Sequence, residues 1–274
     1  MPGPEPRHDL DLLTAAAQEA GRIAMGYFRA DPKTWDKSGG KGRITDPVSE
    51  ADLHVDRYLR DTLCAARPDY GWLSEETEDD ATRQAADTLF IVDPIDGTRS
   101  FLEGSKTWAT SLAVVQNGQP VAAVVHLPAR NLTYTAARGA GATCNGAPLT
   151  VSPRGTLAGA DLLATKWNYD PRFWAGGVPE ATRSFRSSLA YRMAITAEGR
   201  FDAMFTLRDT WEWDIAAGAL LVEEAGGTVV TATGAPLRFN SADARLPGVI
   251  AGPHALTQAL LARGPRLQSA VTQG

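Results

Sequence analysis

A chain of 274 residues, 43% hydrophobic and 22% charged, has an ordinary globular composition and room for one large α/β unit or two fused halves. A net charge of −5 argues against a broad basic surface for a nucleic-acid polymer. No apolar run approaches the roughly 20 residues that cross a bilayer. The opening "MPGPEPRHDLDLL" lacks the order of a secretory signal, and Cys64 and Cys144 stand far apart without ligand spacing, so a cytoplasmic protein with reduced cysteines is expected.

Leu10, Leu13, Ala17, Ala20, Ala24 and Phe28 recur at helical spacing, which predicts an amphipathic helix over residues 9–29 with Asp9 as its cap. "DPKTWDKSGGKGRITDP" carries glycines, lysines and Asp-Pro steps and reads as a loop. Ser49 then caps a second helix whose inner face holds Val55, Leu59 and Leu63 and which ends near Pro68. "YGWLSEE" and "LFIVD" read as strands delivering acids at their carboxyl ends. "TSLAVV" and "VAAVVHL", joined by the turn "QNGQP", and then "LTYTAAR" follow as strands. Their almost continuous apolar character fits strands covered on both faces.

A second half begins near residue 150, giving an N-terminal half of residues 1–149 and a C-terminal half of residues 150–274. "YRMAITAEGRFDAMF" predicts a helix, a glycine stop and a strand, and "WDIAAGALLVEEAGG" a helix opening at Asp214 and ended by Gly226 and Gly227. "TVVTATGAPLRF" reads as a hairpin, "GVIAG" as a strand and "HALTQALLA" as a closing helix. No internal repeat is visible, and two packed α/β halves are expected.

Acids gather at the ends of these elements: Glu75 and Glu76 after one strand, Asp93 and Asp96 after the next, Asp52 and Asp214 at helix starts. Glu75 and Glu76 alone would suit a solvated strand end, and Asp214 alone would complement a helix dipole. "DPIDGT" at 93–98 could be a tight turn, but a turn does not require two acids followed by Gly97 and Thr98. Hard divalent cations such as Mg²⁺ want oxygen ligands, and acids packed together without a cation would repel and lose hydration. The free N–H groups of Gly97 and Thr98 would make an anion site. Metal ions beside an anion site describe a phosphate pocket.

These residues resemble the three signatures of the inositol monophosphatase superfamily of Mg²⁺-dependent, Li⁺-sensitive phosphomonoesterases: "SEE" at 74–76, "DPIDGT" at 93–98 and "WDIAAGALLVEEAGG" at 213–227. Asp52 in "VSEAD" falls where the family keeps an upstream aspartate, and the register holds from about residue 10 to residue 263. The resemblance implies a layered αβαβα sandwich of the inositol monophosphatase and fructose-1,6-bisphosphatase type. It implies two or three Mg²⁺ ions on Glu75, Asp93, the Ile95 carbonyl, Asp96 and Asp214, with Asp93 bridging. Asp52 and Thr98 would orient and deprotonate the attacking water, and the amides of Gly97 and Thr98 would hold phosphate. Lys41, in the glycine-rich loop, falls where relatives carry a flap lysine near the active site; a solvated loop lysine is the plain alternative. No nucleophile elbow and no Walker loop compete with this reading.

The resemblance implies a small phosphate monoester as substrate. Inositol phosphatases of the family carry a polyol-binding glutamate seven residues before the third-motif aspartate; here that position is Leu207. "EWD" and "DPIDGTRSFLEG" resemble instead the bacterial 3'(2'),5'-bisphosphate nucleotidases, with Arg99 a candidate contact to a second phosphate or simply a solvated arginine. "SSLAYRMAITAEGRFDA" leans toward the inositol-phosphatase branch, and Arg186 could fill or charge the pocket. Trp167, Trp174, Trp211 and Trp213 are candidates to line it, or core packing. A bisphosphate nucleotide is the preferred reading; inositol 1-phosphate, histidinol phosphate, a sugar phosphate or an inactive metal-binding interaction protein are the alternatives. Dimers are common in the inositol-phosphatase branch and monomers in the nucleotidase branch, so the expectation of a homodimer follows the substrate. The four histidines, scattered at 8, 54, 126 and 254, suggest no imidazole site.

Overall fold

The computed structural model describes residues 6–37 and 46–267. In chain order the first half runs α1 (Pro6–Tyr27), β1 (Thr34–Asp36), β2 (Pro47–Ser49), α2 (Glu50–Ala66), β3 (Gly71–Ser74), β4 (Thr88–Asp96), α3 (Thr98–Leu102), β5 (Ala109–Gln116), β6 (Gln119–Leu127), β7 (Leu132–Ala137), β8 (Ala142–Cys144) and β9 (Ala147–Pro148). The rest runs β10 (Asp161–Leu163), β11 (Thr182–Ser184), α4 (Leu189–Ala197), β12 (Ala203–Thr206), β13 (Thr210–Trp211), α5 (Glu212–Glu224), β14 (Thr228–Val230), β15 (Arg245–Leu246), β16 (Val249–Gly252) and α6 (His254–Leu261).

Strands β3 to β9 form a seven-stranded sheet in sequence order, antiparallel except for the parallel pair β3–β4. A five-stranded mixed sheet has the order β11-β10-β12-β16-β14. Helices α1 and α2 pack on one face of the large sheet through Leu13, Ala17, Leu59 and Leu63 against Phe90, Leu112 and Val124. The other face, carrying Leu89, Ile91 and Val125, meets α4 and α5, whose far side meets β12, β14 and β16. Helix α6 closes the small sheet through Leu256 and Leu260. The layers therefore run α, β, α, β, α, as expected. Both faces of β4 to β6 are covered by helices, which is why those strands are apolar at successive positions rather than at alternate ones.

Several expectations are corrected locally. Helix α1 begins at Pro6, at the favoured first-turn position for proline, and Asp9 is not its cap. Asp9 is buried and accepts bonds from Arg67 Nε at 3.0 Å and Tyr70 Oη at 3.0 Å, tying α1 to the end of α2. The first glycine-rich loop contains a short ribbon, β1 paired antiparallel with β2. Residues 228–239 are not a two-stranded hairpin: β14 pairs with β16, and the turn that follows it is closed by the bridge Val230–Pro236 and the bond from Thr231 N to the Ala235 carbonyl. Helix α5 opens two residues before Asp214, at Glu212, whose buried carboxylate accepts from Asn240 N at 2.6 Å and from Ser241 N at 2.8 Å.

Candidate active site

The central acids are placed by a fault in a strand. Ideal pleating would put Asp93 and Ile95 on one face of β4 and Pro94 and Asp96 on the other. Pro94 has no N–H to give the ladder, and pairing with β5 slips between Asp93 and Asp96: Asp93 faces Ser111 while Asp96 faces Ala109. The "DPID" stretch is thus a bulged strand end rather than a tight turn. It lets both carboxylates turn to one place, where Asp214, third residue of α5, joins them. Oxygens of Asp93, Asp96 and Asp214 lie within 4.8 Å of one another.

This cluster fits a hard cation. Oδ1 of Asp93 is buried without any hydrogen-bond partner, an expensive state for a carboxylate unless something positive meets it. Burial pushes the Asp93 carboxyl well above the ordinary range, and the charges of Glu75, Asp96 and Asp214 push it further. Asp214 is raised for the same reasons, burial first and then Asp96 and Glu75, against the opposing pull of Arg208 and Arg192. Asp96 is raised by burial but held by bonds from Ser188 Oγ at 2.6 Å and Ala190 N at 2.6 Å.

Ser188 carries this clasp at a backbone angle, φ 64°, that non-glycine residues rarely adopt. It caps α4 by accepting from Tyr191 N at 3.0 Å and gives its own hydroxyl proton to Asp96. The cap of one element thereby orients an acid of another.

Asp52 occupies the third position of α2 in a capping box. Its Oδ2 accepts from Ser49 N at 2.8 Å and Ser49 Oγ at 2.5 Å, and Ser49 Oγ accepts in turn from Ala51 N. That leaves Oδ1 for Thr98 Oγ1 at 2.9 Å, so Asp52 and Thr98 form a hydrogen-bonded pair 46 residues apart in sequence. Burial raises the Asp52 carboxyl, and the Ser49 and Thr98 bonds work against that rise. Gly97 stands before α3 at φ 97°, and an added Cβ there would come 3.3 Å from the Thr107 carbonyl. The Ile95 carbonyl lies 3.2 Å from Thr98 Oγ1.

Glu75 is not a member of the tight cluster, although its charge acts on Asp93, Asp214 and Asp52. It accepts from Lys37 Nζ at 2.8 Å, and Glu76 accepts from the same ammonium at 2.7 Å. Neither glutamate is a solvated strand end. Burial and the neighbouring Glu75 push Glu76 up to about 8, against the attraction of Lys37. Lys41 lies outside the described residues; Lys37, four residues earlier, is the lysine placed against the acidic motif.

Other candidates separate. Arg99 is exposed on α3, and Arg186 lies over the Phe201 ring at 5.3 Å. Leu207 is fully buried and belongs to the apolar core shared with Leu256 and Leu260 of α6. Trp174 belongs to the same core, Trp167 is exposed beside Phe173, and Trp211 and Trp213 stack at 4.6 Å directly before Asp214. Cys64 and Cys144 are free, and no histidine joins the acids among the described residues. Sequence reasoning passed over Lys37, Ser188, Arg192 and Arg208. Only Ser188 left a signal, a serine before a helical run.

A layered α/β fold holding a carboxylate cluster next to an aspartate–threonine pair defines a metal-dependent phosphatase class. Residues 6–267 match the Inositol monophosphatase family, and the chain belongs to it. An inositol-1-monophosphatase of Rhizobium meliloti is 40% identical over 200 residues, 69% of this chain and 73% of its own. The Nus factor SuhB of Xylella fastidiosa is 35% identical over 269 residues, covering 93% and 95% of the two chains. The crystal structure of an extragenic suppressor protein SuhB from Bartonella henselae superposes with a TM-score of 0.78 at 28% identity, covering 93% of this chain and 98% of that one. The protein is accordingly a phosphatase-family hydrolase with an acidic cluster suited to metal. Among the described residues no helix is long and apolar enough to cross a membrane.

Proposed function

We propose that the protein is a Mg²⁺-dependent phosphomonoesterase that hydrolyses a small phosphate monoester with water as nucleophile. The observation that carries this reading is the convergence of Asp93, Asp96 and Asp214 around an unpartnered carboxylate oxygen, with the Asp52–Thr98 pair alongside. Asp93, Asp96 and Asp214 would hold Mg²⁺, with Glu75 and the Ile95 carbonyl as further ligands on the same side. When bound, the ions supply Lewis-acid charge to the attacking and leaving oxygens. Water placed against Thr98 Oγ1 can pass a proton to that oxygen as the threonine's own proton moves to Asp52 Oδ1. The amides of Gly97 and Thr98 orient the phosphate oxygens. The halves 1–149 and 150–274 divide this work: the first supplies Asp52, Glu75, Asp93, Asp96 and Thr98, the second Asp214 and the clasp on Asp96.

For the substrate, Leu207 in the core leaves no polyol acceptor at that position, which favours a 3'(2'),5'-bisphosphate nucleotide such as adenosine 3',5'-bisphosphate. Inositol 1-phosphate is the second reading, favoured by the name of the Rhizobium meliloti relative. A homodimer and a cytoplasmic location belong to the same reading. Phosphate release from a panel of nucleotide, inositol, sugar and histidinol phosphates, with Mg²⁺ and with chelator, is the test. We expect release that needs Mg²⁺ and is inhibited by Li⁺; no release from any monoester would sink the enzyme reading.

A further inference from the structure

We infer that Arg192 forms an anion subsite beside the acidic cluster, which binds a second phosphate group on the substrate; this rests on the phosphomonoesterase reading above. Arg192, in α4, is 6% exposed, and its Nη1 is buried with no hydrogen-bond partner. Among the described residues its guanidinium makes one long bond, Nε to the Ser188 carbonyl at 3.4 Å, and it lies over the Phe185 ring at 5.5 Å. A guanidinium has five donors in a rigid fork, and leaving the two on Nη1 dry and unused is costly unless an anion completes them. Burial lowers Arg192 to about 10, which still leaves it a cation at neutral pH.

The charges it feels are Asp96 and Asp214, which favour its charged form, and Arg208, which opposes it. Those two carboxylates are the candidate metal ligands. Cations bound to them would take up the two carboxylates that act on Arg192, leaving its guanidinium to be matched by another anion. Arg192 also sits on the turn of α4 that clasps Asp96. A phosphate held there keeps a fixed distance from the one being cleaved. A bidentate guanidinium–phosphate contact suits that geometry.

The test compares adenosine 3',5'-bisphosphate with adenosine 3'-monophosphate, which differ by one phosphate, in steady-state kinetics with Mg²⁺ and in calorimetric binding. The full-length protein should prefer the bisphosphate by about 10–100-fold in kcat/KM, the range of a charge-assisted bond. Arg192→Met should remove most of that preference through KM, with a larger loss on the bisphosphate than on the monophosphate, and Arg192→Lys should restore part of it. Arg192→Gln, which keeps a polar tip of similar reach without the charge, provides the reading if Arg192→Met folds poorly. Equal losses on both substrates would overturn the proposal, because Arg192 would then serve only the acidic cluster. Monophosphate hydrolysis with no gain from the second phosphate would overturn it too, while leaving the phosphatase reading intact. Tighter binding of the bisphosphate without hydrolysis of any monoester would support the subsite and remove the phosphatase reading.

Discussion

Thr98 has one hydroxyl proton and two acceptors within reach, Asp52 Oδ1 at 2.9 Å and the Ile95 carbonyl at 3.2 Å. Asp52 has already committed its other oxygen to Ser49, so its free oxygen is aimed at Thr98 by the start of a helix rather than by the site itself. The pairing explains why an acid at the third position of a capping box can serve chemistry: the cap fixes its rotamer. Thr98→Ala should lower kcat by about 10²–10⁴-fold, the range for a positioned acid–base group, with the fold retained by circular dichroism. Thr98→Ser keeps the hydroxyl and should retain activity within about 10-fold. If the alanine variant turned over like the parent, the proton route through Thr98 would be wrong. Ser49, Asp52 and Thr98 were each visible in the sequence by type and position, and the family resemblance already implied the Asp52–Thr98 bond; that Ser49 takes the other oxygen of Asp52 was not visible, because a cap's side-chain bonds are settled only in the folded helix start.

At the scale of elements, the bulge at the end of β4 and the left-handed turn at Gly97 deliver two acids and a threonine within six residues, 93–98. Gly97→Ala must adopt φ 97° with a Cβ pressed toward the Thr107 carbonyl, a strain of about 1–3 kcal/mol. Because Thr98 follows directly, the strain should appear as a loss of activity of about 10–100-fold beside the lower melting temperature. Gly139 also has positive φ, 76°, but faces open space, so Gly139→Ala should lower the melting temperature and spare activity. Equal activity in both alanine variants would show that the turn at Gly97 does not position Thr98. The elements themselves were largely legible: runs such as "LFIVD" and "VAAVVHL" are strands, and Val55, Leu59 and Leu63 line a buried helix face. The exceptions share a cause. Asp9 answers to Arg67, β14 to β16 and the start of α5 to Asn240 and Ser241, all partners remote in sequence.

For the whole molecule, the acidic cluster trades stability for chemistry. Asp93 and Asp214 have raised folded-state values, chiefly from burial, whereas in the unfolded chain they titrate near 4. Between those limits the native state holds more protons than the unfolded one, so metal-free stability falls as pH rises. Glu76, raised to about 8, acts in the same direction. The metal-free protein should therefore melt lower at pH 8 than at pH 5.5, and Mg²⁺ should raise the pH 8 value. Asp93→Asn should melt about 2–4 °C higher than the metal-free parent at pH 8 for each kcal/mol of relieved repulsion, and should lose most of the Mg²⁺ response along with activity. Calorimetry across this pH range checks the sign; a flat parent profile, or an unchanged Mg²⁺ response in the variant, would refute it. By itself the sequence determined the main strands, helices and acids, because apolar runs and motif spacing are local properties of the chain; the order of the layers came from the family resemblance. Only the tertiary structure decided which oxygens meet, that Lys37 rather than a solvated surface faces Glu75 and Glu76, that Leu207 turns into the core, and that Arg192 is buried with an unpartnered nitrogen next to the acids. Those outcomes depend on strand register, caps and burial, which are set by contacts between segments far apart along the chain.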